Sequence, residues 1–148
     1  MNRTNLENLS KGSRPSLHAA TPNWDTLKGL VQRAAESLDD SRKTENSLAT
    51  RFGAAYGAAF WLARVALEAC GYRLAGAEGH RTILFQSLGS TLDWDTDQWR
   101  RLDDFHRFRN RFEYGDVVEV PEQQVQTAIA AAQELLEDIM RAFPETKP

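Results

Sequence analysis

From position 48 to position 70, apolar side chains recur at three- and four-residue steps: Leu48, Phe52, Ala55, Tyr56, Ala59, Phe60, Ala63, Ala66, Leu67 and Cys70. A period of about 3.6 gathers them on one side of an α-helix, expected over about 43–70, whereas a strand alternates its faces with period two. A helix this long and this apolar needs covering, so the rest of the chain must supply further helical surfaces. The sequence does so. Trp24, Leu27, Leu30, Val31, Ala34, Ala35 and Leu38 form one stripe, preceded by Thr21 as a cap and Pro22 at a first helical position. "GAEGHRTILFQSLGS" reads as a short helix between glycines, with Ile83, Leu84 and Leu88 apolar. "DWDTDQW" supplies acids and a threonine for the start of a fourth helix, from 96 to 112 or 114. A fifth, 121–143, carries Val125, Ala128, Ile129, Ala132, Leu135, Leu136, Ile139, Met140 and Phe143 in register.

No stretch reads as a strand, since "VVEV" alternates but is too short to stand alone. The expected fold is therefore all-α, an up-and-down bundle of about five helices occupying 21–143. Residues 1–20 lack a sustained period and are expected to be a flexible tail, with a helical turn near Leu6 and Leu9 as the alternative; 144–148 form a C-terminal tail. Within the long helix, Gly53 and Gly57 each cost up to about 1 kcal/mol against alanine, which predicts that another backbone approaches closely there. Gly71 is placed to close that helix and Gly115 the fourth.

A chain of 148 residues, 41% hydrophobic and 26% charged, has the make-up of one ordinary globular domain rather than a disordered segment. The net charge of -3 argues against a protein that coats nucleic acid, but leaves room for a local basic patch. The single Cys70 excludes an intramolecular disulfide and a cysteine-based zinc site. No apolar run approaches the roughly 20 residues that span a bilayer, and the N-terminus lacks a signal-peptide core, so a reduced, cytoplasmic setting without membrane contact is expected. Glycine-rich phosphate loops, HExxH, GxSxG and paired Glu-x-x-His units are missing, and neither a metal nor a cofactor is expected. The run "DWDTDQWRRLDD" reads as a solvated helix start favoured by the dipole rather than as a cation site.

"RNRFEYGD" carries the polar feature that a bundle helix explains least well. On a wheel of about 100° per residue, Arg109 falls among Leu102, Phe105 and Phe112, while Arg107 and Arg111 point well away towards water. A guanidinium stays charged at physiological pH, and burying it unpaired costs several kcal/mol. Glu113 is four residues on, and His106 lies on the same edge. A base followed by an acid is the weaker order for a helical pair, worth only about 0.2–0.5 kcal/mol. Two readings stay open. Arg109 snorkels from the bundle edge or ties Glu113 to another helix; or Arg109, Glu113 and Tyr114 line a cleft for an anion such as phosphate.

Three stretches together resemble one family. "RNRFEYGD" is similar to the motif of HEPN (higher eukaryotes and prokaryotes nucleotide-binding) domains, an arginine followed after four to six residues by histidine, in the bacterial branch that ends it in acid–Tyr–Gly. "RFGAAYGAAFWLARVALEACGYR" resembles that branch's long helix, and "GHRTILFQSLG" its following helix, which opens on a histidine. The resemblance covers about 48–116 directly. It implies a helical bundle that dimerises with the motif arginines facing a shared cleft. Many family members are metal-independent endoribonucleases of toxin–antitoxin systems, and others bind nucleotides or accompany a small nucleotidyltransferase.

Carried over by position, Arg109 matches the arginine that holds the scissile phosphate and Asn110 the polar residue after it. Tyr114 stands where histidine is expected. A phenol with a pKa near 10 is a poor base at neutral pH but can donate a hydrogen bond to phosphate. The resemblance therefore implies a nucleotide- or RNA-binding or partner-binding module with a degenerate ribonuclease motif. Its binding residues would be Arg109, Asn110, Glu113, Tyr114 and His106, its partners a second copy, a nucleotide or RNA, and an antitoxin or nucleotidyltransferase. There is no DNA-specific motif. The alternatives are an active metal-independent endoribonuclease using Arg109 with Tyr114 or His106, and a homodimeric interaction domain that binds no ligand. His80 is expected to be a cap or packing residue, and His18 lies in the presumed tail.

Overall fold

The computed structural model describes residues 3–12, 15–75, 81–115 and 119–148. In chain order its elements are α1 (Thr4–Leu9), β1 (Leu17–Ala19), α2 (Trp24–Arg42), α3 (Leu48–Ala69), β2 (Tyr72–Leu74), α4 (Arg81–Gln86), α5 (Leu88–Thr91), α6 (Thr96–Glu113), α7 (Glu122–Ala142) and a final 3₁₀ turn, Pro144–Thr146. The architecture is the expected all-α bundle, built on four long helices. α3 is its axis, packed between α2 and α7 and covered further by α4, α5 and α6. Ala55, Ala58, Ala59, Ala63 and Ala66 are all buried, and their small size lets the neighbouring helices lie close. Leu27, Val31 and Leu38 of α2 and Leu135 and Ile139 of α7 fill the two sides. Each such buried aliphatic contributes about 1.5–3 kcal/mol. Among the described residues, no helix is long and apolar enough to cross a membrane.

Helix starts are set by single side chains. Asn23, not Thr21, caps α2: its Oδ1 accepts from the Thr26 amide at 3.1 Å, so Pro22 stays outside the helix. Ser47 caps α3 through the Thr50 amide at 3.1 Å, and Lys43 is extended, so the long helix begins at Leu48 and not near 43. Asp95 and Gln98 form a reciprocal capping box on α6, which ties off two orphan amides. Gly71 (φ +92°) and Gly115 (φ +83°) take the left-handed conformation that ends α3 and α6.

Three expectations need correction. The N-terminal stretch is not a structureless tail; it takes the alternative, a helical turn over Leu6 and Leu9. α1 buries Leu6, and β1 pairs antiparallel with β2 in the register Leu17↔Leu74, His18↔Arg73 and Ala19↔Tyr72. Elements this short have too little period to be read locally, and they are held by contacts distant in sequence. The C-terminal residues likewise carry the 3₁₀ turn, with Thr146 buried and its hydroxyl donating to the Phe143 carbonyl at 2.7 Å. Within this chain Gly53 and Gly57 meet no close backbone: a Cβ at either would find nothing within 4 Å among the described residues. Positions 117 and 118 of "VVEV" lie outside the described residues, and Val120 is buried without forming a strand.

A buried cation helps to close the bundle. Arg51 on α3 donates from Nε to the Ser41 carbonyl at the end of α2 (2.8 Å) and lies 3.6 Å from Glu122 at the start of α7. Trp94 donates from Nε1 to Asp138 at 2.8 Å, fixing the loop before α6 onto α7.

If the N-terminal segment belongs to the core, Leu6→Ala and Leu17→Ala each destabilise the protein by about 2–5 kcal/mol. Urea unfolding followed by circular dichroism measures this, and an unchanged midpoint for both variants contradicts the packing described.

Candidate functional site

Tyr56 lies in the middle of α3 and is 3% exposed. A phenol buried there must find partners for its hydroxyl. α4 and α6 bring them. Arg81, the first residue of α4, donates from Nη1 to Tyr56 Oη at 2.8 Å, and His106 Nδ1 of α6 lies 3.1 Å from the same oxygen. The imidazole and the phenol are near-parallel, with centroids 6.2 Å apart. On the far side of the imidazole, Asn110 Nδ2 is 3.4 Å from Nε2. Two tautomers fit. If Nδ1 carries the proton and donates to Oη, Nε2 accepts from Asn110. If Tyr56 donates to Nδ1 instead, the amide of Asn110 must turn to present its oxygen.

Arg109 joins this cluster one helical turn beyond His106. Its Cζ is 5.5 Å from the Tyr56 ring centroid, while Nη2 pairs with Glu113 Oε1 at 2.9 Å. The side chain is 32% exposed, so the guanidinium rests against the bundle edge and is not released into bulk water. Arg81 lies 6.0 Å from the Tyr56 centroid and 4.7 Å from that of Phe60. It differs from Arg109 in one respect: among the described residues Arg81 has no carboxylate partner. Two guanidinium groups thus meet around one phenol, with a single acid, Glu113, paired to one of them.

A further bond, from Thr82 to Asp103, holds α4 onto α6, and Arg107 of the same helix braces the acid. Asp103, buried on α6, accepts from Thr82 Oγ1 at 2.8 Å and from Arg107 Nη2 at 2.9 Å. Arg107 is therefore not merely solvated, as its direction on the wheel suggested, because Asp103 one turn back offers the more favourable acid-then-base order. Burial, then the positive charge of Arg81, hold His106 below its ordinary 6.5, with Asp103 opposing. Burial raises the Tyr56 phenol above its ordinary 10.0 against the pull of Arg81. At neutral pH the site therefore combines a neutral imidazole, a protonated phenol and two guanidinium groups, with the carboxylates of Glu113 and Asp103 beside them.

Of the residues singled out in the sequence, the structure brings together His106, Arg109, Asn110 and Glu113. Tyr114 stands apart. It is 82% exposed at the end of α6; its backbone amide donates to the Asn110 carbonyl at 3.1 Å, but among the described residues its side chain makes no hydrogen bond or ring contact with the cluster. His18 is exposed on β1, and His80 lies outside the described residues. Sequence reading passed over Tyr56, Arg81, Thr82 and Asp103. Tyr56 was counted as part of an apolar stripe, and only its hydroxyl signalled a need for partners. Among the described residues, no three or more histidine, cysteine or carboxylate side chains gather as metal ligands.

The lowered His106 pKa fixes a sign. As pH falls below 6.5, the unfolded chain binds a proton that the folded imidazole refuses, so stability declines until pH reaches the folded value and then levels. NMR titration of the imidazole is expected to give a midpoint below 6.5, and His106→Gln is expected to flatten this part of the stability profile. A midpoint at or above 6.5 contradicts the buried, cation-flanked setting.

Comparison with protein-family models, curated proteins and solved structures finds no match to this chain.

Proposed function

We propose that this chain is a HEPN-like module that binds the phosphate of a nucleotide or RNA at the cluster of Arg81, Tyr56, His106 and Arg109, with little or no ribonuclease activity. The observation that carries the reading is the convergence of Arg81 and Arg109 on Tyr56, with Arg81 lacking a carboxylate partner among the described residues. Guanidinium groups suit phosphate because their planar donor forks match its oxygens, and charge-assisted hydrogen bonds contribute about 1.5–3 kcal/mol each. The resemblance supports the same place: the three similar stretches fall on α3, α4 and α6, the helices that meet at Tyr56. Tyr114 can approach a bound ligand from the helix end, where its exposed ring offers a face to a base. A cytoplasmic setting is proposed from the sequence, which carries one cysteine and no long apolar run, and association with an antitoxin, a nucleotidyltransferase or a second copy is what the resemblance implies.

One observation favours the active-ribonuclease reading as the second choice. His106 is oriented by Tyr56, is held neutral, and shares a cluster with two arginines, as a general base beside a phosphate clamp would be.

The two readings part in one set of measurements. Arg81→Ala and Arg109→Ala are each expected to weaken binding of a labelled RNA oligonucleotide or a nucleoside triphosphate by about tenfold or more, with circular dichroism unchanged. Each loss should also flatten the salt dependence of RNA binding by about one phosphate contact. Wild-type affinity in both variants rejects the site. RNA incubated with the protein in chelator is expected to stay intact. Cleavage that His106→Gln lowers by about 10²–10⁴-fold would establish the second reading instead.

A further inference from the structure

A cavity of about 200 Å³ opens on the other flank of Phe60, between α3, β2 and α4. Its walls are apolar: Phe60 and Leu67 from α3, Leu74 from β2 and Leu84 from α4. Its rim is charged. Glu68, with its side chain 7% exposed, accepts from Arg64 Nε at 2.5 Å through Oε2 and from Arg73 Nε at 3.2 Å through Oε1. A buried carboxylate bridging two guanidinium groups is satisfied, but it neutralises only one of them. Each arginine uses its Nε on Glu68, so among the described residues the terminal Nη atoms of both have no hydrogen-bond acceptor. Arg64 is further held by Trp61, whose ring centroid is 5.4 Å from its Cζ. Among the described residues, the result is an apolar hollow with one unbalanced positive charge at its mouth and donor forks already oriented.

We propose that this cavity binds a small organic monoanion, a carboxylic acid with a short apolar body. The apolar body would displace water from the leucine and phenylalanine walls, which is favourable at roughly 25 cal/mol per Å². The carboxylate would take the free edges of Arg64 and Arg73 in the bidentate geometry these groups prefer. Charge selects the class. Among the described lining residues, two arginines less one glutamate leave a single positive charge, which suits a monocarboxylate better than a multiply charged phosphate ester. Volume limits the size: at about 30 Å³ per water, the space holds only a handful of solvent molecules or one short acid. The site shares Phe60 with the Tyr56 cluster, where Arg81 stacks on that ring, but it does not rest on the phosphate-binding reading.

Hexanoate and benzoate, with hexanol, benzyl alcohol and inorganic phosphate as controls, are the probes. Titration into isotopically labelled protein should give saturable methyl shifts at Leu67, Leu74 and Leu84 for the acids in the millimolar range or tighter, and a raised Tm. Arg73→Gln, at an exposed strand position, should weaken acid binding by about tenfold. Leu74→Trp should abolish it by filling the hollow, with the charges left in place. Arg109→Ala should leave it unchanged, so failure here and failure of the phosphate site are separable. Equal binding of acid and alcohol, preference for inorganic phosphate, absence of saturable shifts, or undiminished affinity in folded Arg73→Gln each overturns the proposal.

Discussion

The structure is governed by the burial of α3. Because neighbouring helices cover it on most sides, any polar group it carries must be satisfied by side chains or backbone brought from elsewhere. Three such groups lie along it, and each recruits a different part of the molecule. Arg51, near its start, takes a carbonyl from the end of α2 and faces a glutamate of α7. Tyr56, midway, takes Arg81 from α4 and His106 from α6. Glu68, near its end, takes Arg64 of its own helix and Arg73 of β2. The first closes the bundle, the second assembles the candidate binding site, and the third forms the rim of a cavity.

The Tyr56 cluster is also where local charge departs from the acidic average of the chain. Arg109 spends part of its charge on Glu113, a pair of modest strength because half of Glu113 is in water. Among the described residues, Arg81 has only the phenol oxygen and two aromatic rings. Cation–π contacts position a guanidinium without neutralising it, so an incoming anion would meet a cation already held in place. Holding the donors beforehand lowers the ordering cost that binding otherwise carries. Under the proposed function, this asymmetry would make Arg81 the stronger determinant of affinity and Arg109 the partner whose salt bridge must loosen or be shared.

The sequence exposed the large-scale fold well, because α2, α3, α6 and α7 each bury a face long enough to show helical period. Gly71 and Gly115 were legible as stops for the same local reason. What escaped it depends on distance in the chain. β1 finds β2 across more than the length of two long helices, and three residues show no alternation to read. The position of Arg109 on an inward edge could be computed from spacing, but its contact with Tyr56 could not, since that requires knowing which helix lies opposite. Asp103 had a local clue in Arg107 four residues on, whereas Arg81 had none until its short helix was set against α3. Tyr114, placed in the site by its position in a motif, lies outside the cluster because α6 ends there and turns its last residues to solvent.

In the proposed function, Arg81 and Arg109 together receive a phosphate beside Tyr56. Side-chain NMR of the arginine Nε–Hε groups during titration with a nucleoside monophosphate tests it most directly. The account predicts that the Arg81 and Arg109 resonances move together, saturably and with one dissociation constant, while that of Arg33 on α2 stays still. Resonances of Arg81 and Arg109 that remain fixed as the nucleotide is brought well into the millimolar range would contradict it.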